Sequence, residues 1–257
     1  MSSISAHMIV KNEDQWVVVA IRSILPYVDE ILVMDTGSTD NTIDLIKSIS
    51  SPKIKLSCIN ANTPAQITKA RTDQLASTKN QWVWIVDADE VYPEVTAKEC
   101  VELTKNKDIE GILVRRYDLL GDVYHRQLES VGAYTLFGHN GHLLVRLVNL
   151  SKLKDLSYRG DYPLEGFYDK EGNSILTHDS LLWPATNNYL YHAMYLKRSS
   201  LGGNLPMFNR SKYKIETGIK IEGELPSSLS GLPKRSLLYE LIARVVTPIK
   251  SLKRKFL

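Results

Sequence analysis

The chain has 257 residues, 43% apolar and 24% charged, with a formal net charge of +3. That length and mix suit one sizeable core and exclude collagen-like, low-complexity, repeat and disordered classes. With no basic start leading into an apolar run, and no stretch near the ~20 apolar residues of a bilayer-spanning helix, a cytoplasmic protein is expected.

The first half alternates strands and helices. An apolar run at 4–10 predicts a strand, followed by Lys11-Asn12-Glu13-Asp14, which can cap a helix reaching about residue 24 before Pro26. EILVMD (30–35) predicts a strand buried on both faces. Thr36-Gly37-Ser38-Thr39-Asp40 is a turn that starts a helix over about 41–50. A strand at 53–59, a helix at 64–77, the strand QWVWIVD (81–87), a helix at 94–105 and a strand at 111–116 continue the rhythm. Such alternation predicts a mostly parallel sheet flanked by helices, with ligands at the carboxyl ends of the strands.

The second half is less regular. Residues 118–142 are expected to hold strands and a mobile loop, 143–149 a strand, and 174–177 a short strand. Pro184 opens a predicted helix over 185–199, and Gly, Ser and Pro mark 200–233 as a loop or linker. Cys58 and Cys100 have no metal-like spacing and are expected as buried thiols, with a disulfide less favoured. Trp82 and Trp84 alternate in the fourth strand and read as core. His139 and His142 fall in a loop, where a metal pair, an acceptor contact or plain polar surface are the readings, the last favoured.

The chemistry gathers where strands end. Asp87-Ala88-Asp89 follows the apolar WVWIV, and two carboxylates there need a cation between them and a diphosphate. Asp35 closes its own strand before the helix cap begins, where a carboxylate can accept from a nucleobase N–H or a ribose hydroxyl.

In order and spacing, MIVKNE (8–13), VDEILVMDTGSTDNT (28–42), KAR (69–71) and WVWIVDADE (82–90) resemble the inverting family 2 glycosyltransferases. Within that family the resemblance is to the bacterial lipopolysaccharide-core and lipid-linked glycan subgroup. It implies an α/β GT-A fold, Rossmann-like, with an irregular acceptor region. It implies a nucleotide-sugar donor, UDP-linked by family habit, a glycan or lipid-linked acceptor, and Mn2+ or Mg2+ as cofactor. Val10, Asn12, Glu13, Asp35, Gly37, Arg71, Asp87 and Ala88 would then bind the nucleotide sugar. Thr72 stands where the family has Asn after its arginine. Asp89, Asp87 and His178 would hold the metal. Glu165 would be the catalytic base, with Asp161 its rival, because Leu164 replaces the usual His before that Glu. The implied layout is a catalytic domain over 1–200 (donor half 1–110, acceptor half 111–200), a linker over 201–233 and a tail over 234–257. Two alternatives are a non-catalytic nucleotide-sugar-binding scaffold and a sugar nucleotidyltransferase. The latter is disfavoured because the first strand leads to VKNE instead of a Gly-rich phosphate loop.

The tail differs from the body. From Lys234 onward Lys234, Arg235, Arg244, Lys250, Lys253, Arg254 and Lys255 face a single acid, Glu240, so this stretch carries +6 and residues 1–233 carry −3. Apolar residues at 237/238, 241/242 and 245/246 share one helix face, which Pro248 should end or kink. An anionic membrane surface or packing against the catalytic domain are the two readings. No nucleic-acid partner is expected, since the body is acidic and carries no recognisable binding module.

Overall fold

The structure, a computed structural model, describes residues 2–196, 214–223 and 225–256. The first half folds as its pattern predicts. Strands β1 (Ile4–Val10), β2 (Glu30–Asp35), β3 (Ile54–Cys58) and β4 (Trp82–Ile85) are parallel, with β1 paired between β2 and β4. Helices α1 (Val17–Ile24), α2 (Thr42–Lys47) and α3 (Pro64–Ala76) connect them. A two-residue strand β5 (Glu90–Val91) and helix α4 (Glu94–Leu103) follow.

Alternation divides the side chains of β4 between two cores, and β1 gives its apolar side chains to the first of them. Ile4, Ala6, Met8, Trp82 and Trp84 pack on one face with Val17, Ile21 and Ala97 of α1 and α4. Val83 and Ile85 point to the other face, with Leu75 of α3 and Trp183. Trp82 and Trp84 are fully buried, as core residues should be.

The second half turns antiparallel. Its elements are β6 (Gly111–Leu120), β7 (His125–Arg126), β8 (Tyr134–Leu136), β9 (His139–Gly141), β10 (Leu143–Asn149), β11 (Ser157–Arg159), β12 (Gly166–Tyr168), β13 (Ala185–Tyr195), β14 (Ile219–Lys220) and α5 (Leu237–Lys255). The main sheet runs β14-β7-β6-β10-β4-β1-β2-β3, with β13 beside β6 and β5. β10 lies antiparallel between β4 and β6, so β6 again runs in the direction of β4. β11–β12 and β8–β9 are separate hairpins. The α/β architecture stands, as a mixed sheet in which β1 to β4 are parallel and β13 pairs parallel with β6.

Four expectations need correction. Residues 185–195 form a strand, not a helix, and 197–199 lie outside the described residues. The segment carries Thr186 and three tyrosines, which favour a pleated surface: Tyr189 stacks on Tyr117 of β6 at 4.1 Å and Tyr191 meets it edge-on at 5.8 Å. Residues 175–177 are a single 3-10 turn capped by Ser174 instead of a strand. Cys58 is exposed at the end of edge strand β3, while Cys100 is buried, and both are free thiols. The stretch read as a linker is partly built into the body. β14 pairs with β7 and Leu229 is fully buried, while 201–213 and Glu224 lie outside the described residues.

Candidate functional site

Parallel strands with staggered helices bring the ends of β1, β2 and β4 to one edge of the sheet. Val10 and Asp35 are register partners at the last step of β1 and β2. The loops beyond them interlock. Ser38 Oγ accepts from Asn12 N (2.8 Å), Asn12 Oδ1 accepts from Thr39 N (2.7 Å), and Thr42 Oγ1 accepts from Glu13 N (2.8 Å). Asp35 is 1% exposed, and its Oδ1 accepts from the backbone N of Gly37 and of Ser38, both at 2.9 Å. Its other oxygen takes the Ser38 hydroxyl. Gly37 holds φ at +107°, a conformation L side chains rarely adopt, so the turn requires glycine. The Val10 carbonyl is taken by Thr36 N at 2.9 Å. Asp35, Gly37, Asn12 and Glu13 therefore form one rigid loop pair.

The second group lies just past β4. Asp87 accepts from Arg146 of β10 at 2.7 Å and lies 3.5 Å from Arg71 of α3. Arg146 also pairs with Glu90, whose side chain is fully buried. Burial acts to raise Asp87, but Arg146 and Arg71 hold it well below the usual carboxylate range. Burial pushes Glu90 up to about 7, against the pull of Arg146. One guanidinium thus serves two carboxylates, which it holds at different points on the pH scale.

Glu165 reaches the same cluster from far along the chain. The β11–β12 hairpin carries it: Glu165 precedes β12, and Tyr158 of β11 stacks against Phe167 at 4.3 Å. Thr68 of α3 anchors the hairpin tip by accepting from Tyr162 N at 3.1 Å. Glu165 then lies 3.0 Å from Arg71 Nε. The Arg71 guanidinium also faces the rings of Tyr158 and Tyr162 at 5.9 and 5.8 Å. Glu165 Oε2 is buried and accepts no hydrogen bond among the described residues. Burial raises its pKa from the ordinary value, opposed by Arg71. Asp161 sits exposed at the hairpin tip, where its backbone carbonyl accepts from Leu164 N. Of the two candidate bases, Glu165 is the one brought to Asp87.

Asp89 has a different neighbour from the one expected. His192 Nε2 of β13 lies 3.4 Å from it, and His192 Nδ1 lies 3.1 Å from Asp118 of β6. Asp118 also holds His142 at 3.1 Å and Arg116 at 3.0 Å. Burial acts to lower His192, but Asp89 and Asp118 raise it to about 10, and the ring lies between the two carboxylates. His178 is not brought to Asp89. It lies 2.7 Å from Glu110 and 3.3 Å from Asp169. The Glu110 carbonyl accepts from Asn149 N, and Asn149 pairs with Trp82 at the start of β4, the opposite end from Asp87–Asp89. His142 is buried against Asp118, whereas His139 is half-buried in the β8–β9 hairpin.

Among the described residues no three His, Cys, Asp or Glu side chains already converge as a metal cage. The donor set still fits Mn2+ or Mg2+. Such ions favour oxygen ligands, and they bind through one or two carboxylates with diphosphate oxygens and water completing the shell. Asp89 would supply the carboxylate, and His192 could join it only with its ring neutral, Asp118 then orienting the imidazole from behind.

A mixed central sheet flanked by helices, with a parallel half whose carboxyl edge carries the acidic loops, has the form of the GT-A fold. The chain belongs to glycosyl transferase family 2, whose family model matches residues 5–159. A TPR repeat-containing protein of Synechococcus elongatus is 30% identical over 90 residues, covering 35% of this chain and 21% of that relative. The chain thus spans about a fifth of that curated relative. Among solved structures, S. aureus TarS superposes with a TM-score of 0.50 at 16% identity, over 75% of this chain and 37% of TarS. Glucosyl-3-phosphoglycerate synthase from Mycobacterium tuberculosis, in complex with Mn2+ and UDP-glucose, gives a TM-score of 0.37 at 24% identity, over 46% of this chain and 44% of that one.

Sequence reasoning missed Arg146, Glu90, Asp118 and His192 as site residues. Arg146 and Glu90 had a visible signal, a charged residue inside or directly after an apolar strand. His192 was hidden by the mistaken helix, although alternating Tyr189, Tyr191 and Ala193 mark it as a strand position.

Proposed function

We propose that the protein is an inverting glycosyltransferase that moves a sugar from a nucleoside diphosphate sugar, UDP-linked in the first instance, to a hydroxyl of a glycan or lipid-linked acceptor. The observation that carries this reading is the arrival of Glu165 at Asp87 through their shared partner Arg71. A buried carboxylate oxygen with no donor suits a base that awaits an acceptor hydroxyl. A binding-only scaffold gives no use for it.

The chemistry follows from the residues. The Asn12–Glu13 and Asp35–Gly37 loops seat the nucleoside. Asp89, joined by His192 only with its ring neutral, would hold a divalent cation, which supplies charge neutralisation for the diphosphate. Glu165 takes the proton of the acceptor hydroxyl as that oxygen attacks the anomeric carbon. The bond from that carbon to the diphosphate oxygen breaks, and the nucleoside diphosphate departs. Arg71 supplies further positive charge in a largely desolvated setting, where it acts most strongly.

The test is release of nucleoside diphosphate across a panel of nucleotide sugars and acceptors with Mn2+. Turnover of at least one donor is expected, with Glu165→Gln lowering kcat by roughly 10²–10⁴-fold in a folded protein. A folded protein that neither binds nor turns over any donor, with or without divalent ions, refutes the reading.

A further inference from the structure

Helix α5 is held in a fixed rotation. Ser236 caps it by accepting from Tyr239 N at 3.1 Å. Tyr239 and Ala243 are buried, and the Tyr239 hydroxyl donates to the Lys214 carbonyl at 2.9 Å. The Tyr239 ring packs on Gly121 so closely that a Cβ there would stand 2.6 Å from it. Further along, Thr247 Oγ1 accepts from Thr217 N at 2.9 Å. In the last turns Arg254 and Lys250 reach the buried Glu216, at 2.5 and 3.8 Å. These contacts lie on both sides of Pro248 and fasten it to one segment, which is why the helix runs through the proline instead of ending there.

The opposite face is then forced outward. Leu237, Leu238, Leu241, Val245, Ile249, Leu252 and Phe256 are 60–84% exposed. Together with Ile242 they make up half of the large apolar side chains exposed among the described residues. At about 3.6 residues per turn they fill one arc of about 140°. Arg244 and Lys255 lie along one border of that arc and Lys253 along the other, all exposed. An apolar stripe edged by cations on both sides matches a surface that is anionic at its headgroups and apolar beneath.

We propose that this face of α5 lies in the interface of an anionic lipid bilayer and holds the protein on it. Charge decides against a second copy as occupant. Two-fold pairing would set the Arg244, Lys253 and Lys255 rows against each other, and Glu240, the one acid after residue 233, is already paired with Arg235 at 2.6 Å. The acidic body is repelled from the same lipid that attracts the tail, which orients the molecule. No helix among the described residues is long and apolar enough to cross a membrane, so α5 lies along the surface. Its docked face meets Gly121 and the Arg235 N–H donates to Asp122, just beyond Asp118. The membrane-facing helix and the acidic site thus share one edge of the sheet.

The experiment is co-sedimentation of the full chain with phosphatidylcholine vesicles, with or without about 30% phosphatidylglycerol, at low salt and at about 0.5 M NaCl. Pelleting is expected with the anionic vesicles, weaker with phosphatidylcholine alone, and reduced by salt. The variant Leu241→Gln, Val245→Gln, Ile249→Gln changes only outward residues and should keep its circular dichroism spectrum while its vesicle partition falls at least tenfold. Lys253→Glu with Lys255→Glu should remove the preference for phosphatidylglycerol. Wild-type protein that stays in the supernatant overturns the proposal, as does a triple variant that pellets like wild type. A light-scattering mass showing a dimer that the triple variant dissociates assigns the face to a second copy and also overturns it.

Discussion

His192 meets Asp89 through one ring nitrogen and Asp118 through the other. A carboxylate behind a histidine fixes its ring and raises its basicity toward a metal. Asp118→Asn should therefore weaken the apparent affinity for Mn2+ by about 10–100-fold, while kcat recovers at saturating metal. A fall in kcat that no metal concentration restores would remove the positioning role. His178→Gln should leave the metal dependence unchanged, because His178 answers to Glu110 and Asp169. His7 shows a different consequence of burial. Its Nε2 lies 2.6 Å from Thr78 Oγ1, and burial lowers its pKa to about 3. Below the ordinary histidine value the unfolded chain takes up a proton that the native state refuses. Stability should thus be intact above about pH 6.5 and fall as pH drops toward 3, by up to about 1.4 kcal/mol per unit from this group. His7→Gln should flatten that slope in urea melts run from pH 7 to pH 4. Residues at strand ends were legible in the sequence because an acid after an apolar run has no packing reason to be there. Asp35, Asp87 and Asp89 belong to that class. Asp118 and His192 do not, since each lies inside a strand and meets its partner only across the sheet.

At the level of elements, β1, β2 and β4 were readable because each is a compact apolar run, and β3 because a helix lies on either side of it in the chain. Parallel strands must be reached by such crossovers, so local pattern and topology agree. β13 was not readable on those terms. It returns beside β6 without a helix, and its register with β6 shifts twice, so simple alternation breaks down along it. What places it is packing: Thr186 Oγ1 accepts from Arg115 N at 3.1 Å, and Thr96 of α4 donates to the Tyr189 carbonyl at 2.9 Å. The start of β6 is equally constrained. A Cβ added to Gly111 would stand 2.2 Å from the Trp183 ring and 2.7 Å from the Leu147 carbonyl. Gly111→Ala should therefore destabilise the protein by about 1–3 kcal/mol through overpacking. The urea midpoint would show it, and a midpoint equal to wild type would mean that Trp183 yields without loss.

Over the whole molecule, loops from three parallel strands and one distant hairpin face a common edge, and each is already tied to another. β1 and β2 interlock through Asn12 and Ser38, β4 is tied to β10 through Asp87 and Arg146, and the hairpin is tied to α3 through Thr68. A ligand spanning this edge would add to those ties in the native state alone. At one hundred times its dissociation constant it would stabilise the fold by about 2.7 kcal/mol. For a chain of this size that raises the midpoint by roughly 5–10 °C. UDP or a UDP-sugar with Mn2+ should give such a shift, and the same nucleotide in EDTA a much smaller one. Asp89→Asn should lose the metal-dependent part, because it removes the carboxylate proposed to take the cation. A shift that is full in EDTA would mean that the arginines hold the diphosphate unaided, with Arg71 and Arg146 drawn from their carboxylates to do so. Arg71→Lys separates the two cases: it should weaken binding strongly and alike in EDTA and in Mn2+ if the guanidinium is the principal anion ligand, and should leave binding in Mn2+ little changed if the cation is.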